Sequence, residues 1–316
     1  MREYGFLKMG INPKRQHYLP KFYLSGFTRD GLFWVYDRNK NEFRKQTPIN
    51  TAIEKDYYSF TDKNGKKNTS IEKILADVEG RIVPVINKIK RQEKINDDDK
   101  GIMSLFLSFL KYRVPEFEKL SNEIAQKMSE FMMKNIINSR EQAAIMMKRY
   151  EKDTGKTIDI SPDVLYEYTQ NAQFNIMVDK NTILKQMLDN SIRNTDWLYN
   201  MNWVVLNAPK KASFLTTDNP FVLLPPTGFP IGVRGYGLRT KGVKKIIPLS
   251  KQQCITIGSP GNEFRYVDVD IKTVRDTNTF VVSRCDRFVI GRDENLLRSI
   301  VKRTKIHKWK KVKRIN

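Results

Sequence analysis

Apolar residues recur along this chain with two periods, and the switches between them mark its elements. Up to about residue 60 the period is two. Residues 31–37 (GLFWVYD) read as a strand, 38–41 (RNKN) as a turn and 42–46 as the returning strand. Residues 51–60 continue this β region, and 62–68 are a polar loop. From Ser70, read as an N-cap, the period lengthens to 3.6. Ile71, Ile74, Leu75, Val78, Ile82, Val85, Ile86 and Ile89 form one helical stripe, which Pro84 is expected to kink or shorten. Residues 96–100 (NDDDK) cap a second helix that ends at Val114-Pro115. A Met-rich helical pattern runs from 116 to about 152. Thr154-Gly155-Lys156 breaks it, Ser161-Pro162 starts another helix, and helical character lasts to about 200. Strands return at 202–207, 213–216, 220–224, 244–249, 253–257, 264–269 and 287–290. Helices are expected over 270–283 and from Glu294.

This order predicts an α+β fold: a β-sheet built from N-terminal and C-terminal segments, with a large α-helical insertion. The expected parts are a β region over 1–69, the insertion over 70–200, a second β region over 201–297 and a basic tail over 298–316.

Composition narrows the class. With 40% hydrophobic and 11% aromatic residues among 316, the chain can bury a substantial core. No run reaches the ~18–20 apolar residues of a membrane span, and no apolar stretch of a secretory signal opens the chain. A cytoplasmic protein is expected. Cys254 and Cys285 belong to no CxxC or Cys/His cluster, which excludes the common zinc patterns and predicts two buried, reduced thiols. Charge changes the picture most: 57 basic residues face 35 acidic ones, a net +22. Such an excess opposes compaction unless a polyanion neutralises it, and nucleic acid, RNA or DNA, is the expected partner. Lysine enrichment by proteome bias is the plain alternative, but it would not leave the acids so far behind.

Four groups carry candidate chemistry. The only histidines are His17 and His307, and His307 lies in the basic tail, so acid–base work near neutrality points to His17. Glu54 and Asp56 would orient it or hold a hard divalent metal; the alternative is a structural histidine and two surface charges. Asp218, before Asn219-Pro220 at a strand end, would bind Mg²⁺ or Mn²⁺ or act as a base, or else close an Asx-turn. The loop 228–245 interleaves five glycines with Arg234, Arg239, Lys241, Lys244, Lys245 and Tyr236. This suits a phosphate chain or single strand, without being a Walker A motif, or else makes a solvated loop. The tail from 298 to 314 has nine Lys or Arg and no acid, with Lys308, Lys310 and Lys311 around Trp309. It reads as a phosphate-binding helix or a frayed, solubilising end. Met128, Met132, Met133, Met146 and Met147 are expected to pack in a core or against a partner. Glu72, Glu79 and Arg113 read, on spacing alone, as solvated or salt-bridged.

Residues 17–27 (HYLPKFYLSGF), 31–38 (GLFWVYDR) and 47–59 (TPINTAIEKDYYS) together resemble the DUF4238 family of bacterial and fungal proteins. Glu72 and Glu79 on one helix, Arg113-Val114-Pro115, Thr217-Asp218-Asn219-Pro220 and Pro248-Leu249-Ser250 extend the resemblance over most of 15–260. It implies that His17, Glu54, Glu79, Arg113, Asp218 and Asn219 share one site. Such a set suits phosphodiester chemistry, with Glu54, Glu79 and Asp218 holding Mg²⁺ or Mn²⁺ and Arg113 stabilising a pentavalent phosphate.

The leading expectation is therefore a nucleic-acid-processing protein, a nuclease, serving as a toxin or phage-defence effector. No residue carries that last role. The alternatives are a non-catalytic nucleic-acid-binding or scaffolding protein, and an enzyme acting on a small phosphorylated ligand.

Overall fold

The structure, a computed structural model, describes residues 15–61, 67–226, 228–229 and 236–306. In chain order the first elements are β1 (Arg15–His17), α1 (Lys21–Ser25), β2 (Phe33–Asp37), β3 (Glu42–Gln46), β4 (Ile53–Lys55), β5 (Phe60–Thr61) and β6 (Lys67–Asn68). The helices α2 (Ser70–Lys90), α3 (Asp97–Tyr112), α4 (Pro115–Ile136), α5 (Arg140–Thr154), α6 (Pro162–Gln170) and α7 (Lys180–Tyr199) follow. The C-terminal part holds β7 (Met201–Asn207), β8 (Thr216–Thr217), β9 (Val222–Leu224), β10 (Lys244–Pro248), β11 (Gln253–Pro260) and β12 (Phe264–Asp268). It ends with α8 (Ile271–Val282), β13 (Phe288–Gly291) and α9 (Glu294–Thr304). The fold is α+β, and helices separate strands that share a sheet.

Two compact units divide the chain: residues 1–114 with 185–316, and residues 115–184. In the larger unit, β2 pairs antiparallel with β13, setting Val35 opposite Ile290, and the sheet order is β3-β2-β13-β8. N-terminal and C-terminal segments are thereby joined in one sheet. A second sheet, β12-β7-β11-β10-β9, is drawn wholly from residues 201–268, and only its β7–β12 pair is parallel. Helix α8 serves both cores. Val274 and Val281 pack with Phe214, Val222, Ile246 and Cys254, while Val282 packs with Tyr36, Leu215, Cys285 and Val289 under α9. Both cysteines are buried free thiols.

Four boundaries differ from the periodic reading. Helix α2 runs through Pro84 to Lys90, because its buried stripe continues on both sides (Val78 and Ile82, then Val85, Ile86 and Ile89). Packing there offsets the roughly 3 kcal/mol cost of an interior proline. Ser70 is the first helical residue of α2, and the side chain of Asn68 accepts its N–H at 2.8 Å. The Met-rich pattern breaks at 137–139, where the Ser139 side chain accepts the Gln142 N–H and starts α5 afresh. The strand expected over 213–216 contracts to Thr216–Thr217. Its upstream backbone bonds instead to the buried side chain of Asn278, which accepts from Leu215 N–H and donates to the Ser213 carbonyl, both at 2.8 Å.

In the smaller unit, Ser139 caps α5, Gly155 ends it in the left-handed conformation, and Ser161 caps α6.

Candidate functional site

His17 ends β1, which pairs antiparallel with β4 so that His17 stands opposite Ile53 and Gln16 opposite Glu54. Successive strand residues face opposite sides. Glu54 therefore shares the face of Gln16 and not that of His17, and it is exposed. Beyond His17 the buried Tyr18, Leu19 and Pro20 lead into α1. Tyr23 anchors that helix: its buried hydroxyl lies 2.7 Å from Thr216 Oγ1 and donates to the Pro248 carbonyl at 2.8 Å. Gly26 passes so close to the chain at 249–250 that a Cβ would stand 3.0 Å from the Leu249 carbonyl oxygen. Most of the segment 17–27 thus holds the fold.

Three of its residues, His17, Pro20 and Lys21, instead line an open groove of about 170 Å³, together with Tyr58, Glu72, Leu75, Ala76, Glu79 and Arg113. Glu72 and Glu79 are seven residues apart on α2, two turns along one face. Arg113, the C-cap of α3, forms the floor and is 3% exposed. Its Nε donates to the Tyr58 hydroxyl (3.0 Å), Nη1 to Glu79 Oε1 (2.8 Å) and Nη2 to the His17 carbonyl (3.0 Å). Burial works against the guanidinium charge, yet Tyr58 and Glu79 outweigh it and raise its pKa. Burial also pushes the Tyr58 hydroxyl up to about 12, against the pull of Arg113. Three of the five guanidinium N–H groups are committed, one each to Tyr58, to Glu79 of α2 and to the end of β1 at His17. Arg113 thus positions the residues around it while itself lining the groove.

His17 Nε2 lies 3.1 Å from the Ile49 carbonyl, which makes this nitrogen the N–H donor of the neutral ring and leaves Nδ1 as the acceptor. Its pKa is lowered, first by burial and further by the Lys21 ammonium, while the Ile49 and Pro48 carbonyls and Glu79 pull the other way. The imidazole is thus held neutral around pH 7. A half-buried base, an exposed lysine and two carboxylates meet in one groove, a set that can move a proton beside an anionic group.

The remaining expected residues lie elsewhere. Asp218 is buried, and its carboxylate accepts from the backbone N–H groups of Asp286 (3.0 Å) and Arg287 (2.7 Å). Its pKa is pushed up to about 7, first by burial and then by the Asp286 charge. Asn219 follows in a turn closed by Thr217, whose Oγ1 accepts the Asn219 N–H at 3.2 Å. With Glu54 exposed on the far face of β4, Glu79 bound to Arg113 and Asp218 tied to backbone, the three expected metal ligands do not converge. Among the described residues no group of three or more His, Cys, Asp or Glu is placed to hold a metal ion. Asp56 sits just past β4 with a left-handed backbone (φ 52°).

Of the expected phosphate-binding cations, Lys245 needs correction. It is 1% exposed, donates to the Val243 carbonyl at 2.8 Å and sits 4.1 Å from the Trp197 ring centroid. Burial pushes its pKa down to about 8. Arg239 binds the Asn194 side chain and the Arg193 carbonyl (3.0 and 2.8 Å), whereas Lys241 and Lys244 are exposed. Arg234, Lys308, Lys310 and Lys311 lie outside the described residues.

Sequence reasoning missed Lys21 and Tyr58. Lys21 stands four residues after His17 and is the only exposed charge in a segment otherwise apolar up to Leu24. It also missed Asp37, fully buried and bridged by Arg287 at 2.9 Å and Arg44 at 3.4 Å.

The DUF4238 family, described as protein of unknown function, matches residues 15–295 of this sequence. The chain belongs to this family. No curated protein and no solved structure matches it. The match takes in every residue of the groove and stops short of the basic C-terminal end. No described helix of this DUF4238 protein is long and apolar enough to cross a membrane.

Proposed function

We propose that this protein processes nucleic acid by cleaving phosphodiester bonds at the groove beside His17. The observation that carries this reading is the meeting of a neutral imidazole, a free-standing lysine and two glutamates in one open groove of a strongly basic chain. His17, unprotonated at Nδ1, accepts the proton of the attacking oxygen. Lys21 offers its ammonium to the phosphate, and Arg113 keeps the His17 backbone and Glu79 in place. Positioned acid–base catalysis contributes about 10²–10⁴-fold in rate.

The test is cleavage of labelled RNA, single-stranded DNA and duplex DNA, each with Mg²⁺, Mn²⁺ or EDTA. His17→Ala should lose about 10²–10⁴-fold. Because the histidine pKa is lowered, the wild-type rate should rise with pH to a plateau, with its midpoint below the ordinary value of 6.5. Intact substrates under every condition, or cleavage unchanged in His17→Ala, would overturn the reading.

The bonding of Arg113 and Asp218 to neighbouring backbone favours a second reading, a non-catalytic nucleic-acid-binding protein whose motif residues only pin the fold. Salt-sensitive binding that survives His17→Ala, without turnover, would support it. A toxin or phage-defence role suits a cleaving activity; growth arrest on expression, lost in His17→Ala, is the corresponding assay.

A further inference from the structure

Helix α4 carries its amphipathic faces the wrong way round for a helix that packs alone. Leu120, Ile124, Met128, Met132 and Ile136 follow one another at four-residue spacing, each between 43% and 59% exposed, and Phe131 beside them is 70% exposed. No residue of its 22 is buried. The opposite face is polar and is held by hydrogen bonds. Gln126 donates to the Phe174 carbonyl (2.9 Å) and accepts from Ile176 N–H (2.7 Å), and Asn122 accepts from Val178 N–H (2.8 Å). A continuous apolar file of this length on a soluble helix marks a surface that another body covers.

Charge selects the occupant. Residues 115–184 hold nine basic and eleven acidic side chains, against 48 and 24 in the rest of the chain. Nucleic acid and anionic lipid would be drawn to the rest. The exposed edge of α4 alternates Lys119, Glu123 and Lys127, unlike the uniformly basic polar face of a membrane-surface helix. The same alternation is self-complementary. Two α4 helices laid antiparallel about a two-fold axis near Gln126 set Ile124 of each beside Met128 of the other, and Leu120 beside Met132. Glu123 of each then comes within reach of Lys127 of the other. The nearly neutral 115–184 segment contributes little net charge of its own where two copies would meet.

We propose that the exposed face of α4 is a dimer interface, closed isologously by the α4 of a second copy of this chain. This does not depend on the proposed cleavage.

Sedimentation equilibrium of the full chain over a range up to about 100 μM tests it, since a dimer's apparent mass depends on protomer concentration. The wild type should approach the mass of a dimer. Ile124→Glu/Met128→Glu should remain a monomer with an unchanged far-UV circular dichroism spectrum. Phe131→Ser, at the most exposed of these α4 positions, should weaken the dimer without threatening the fold, and decides the matter if the double variant misfolds. A wild type that stays monomeric across the range, or a dimer indifferent to both sets of changes, would overturn the proposal. So would a monomer that binds vesicles of mixed zwitterionic and anionic lipid through Phe131.

Discussion

At the scale of single residues, Asp218 shows how a buried carboxyl couples folding to pH. Its pKa lies near 7 in the folded chain against an ordinary 3.8, because burial and Asp286 both oppose its charge. The folded state therefore binds this proton more tightly than the unfolded chain does. The contribution is complete below 3.8 and is lost as pH rises through about 7. Asp218→Asn, which cannot ionise, should flatten the fall in stability between pH 5 and 8, as read by urea midpoints at several pH values. A slope unchanged from wild type would place the titration elsewhere. His17 behaves oppositely: burial lowers its pKa, so the folded state prefers the neutral ring. Its scarcity in the sequence made it legible. The burial of Asp218 was not, because a Thr-Asp-Asn-Pro turn looks the same whether its aspartate faces solvent or the backbone of residues 286–287.

At the scale of elements, periodicity located most helices and strands, and it failed where a side chain from a distant element took over backbone bonding. Asn278, fully buried on α8, satisfies both Leu215 N–H and the Ser213 carbonyl. Asn278→Ala would leave two backbone groups buried and unpaired, each worth about 1–3 kcal/mol, so a loss of about 2–6 kcal/mol is expected in urea unfolding. A change under about 0.5 kcal/mol would mean that this segment does not depend on the amide. The groove follows a similar logic. That Glu72 and Glu79 share a face of α2 follows from their spacing, but that this face meets His17 is set by Arg113, reaching from α3 to both Glu79 and the His17 carbonyl. Arg113→Ala should therefore cost about 3 kcal/mol, the low end for breaking a buried ion pair because Glu79 is 28% exposed, and thermal melts would read it. A melt unchanged in that variant would mean the pair contributes nothing.

At the scale of the whole molecule, charge is unevenly spread: the excess of basic residues lies outside 115–184. If binding neutralises about six phosphates, log K should fall with log salt in anisotropy titrations, at a slope near −4 with single-stranded RNA or DNA and near −5 with duplex DNA. A slope near zero would argue against a polyanion partner. By itself the sequence determined the α+β class, the segments that join in one sheet, the buried thiols and the net charge, because hydrophobic period and composition are properties of the chain alone. It also singled out His17, one of two imidazoles in the chain. Only the tertiary structure decided which charged residues meet. It set Glu54 on the strand face away from His17, sank Lys245 beneath Trp197, tied Asp218 to backbone and brought Lys21 and Glu72 to the groove. Those outcomes depend on strand register, burial and long-range hydrogen bonds, which join residues far apart in the chain and leave no local mark on it.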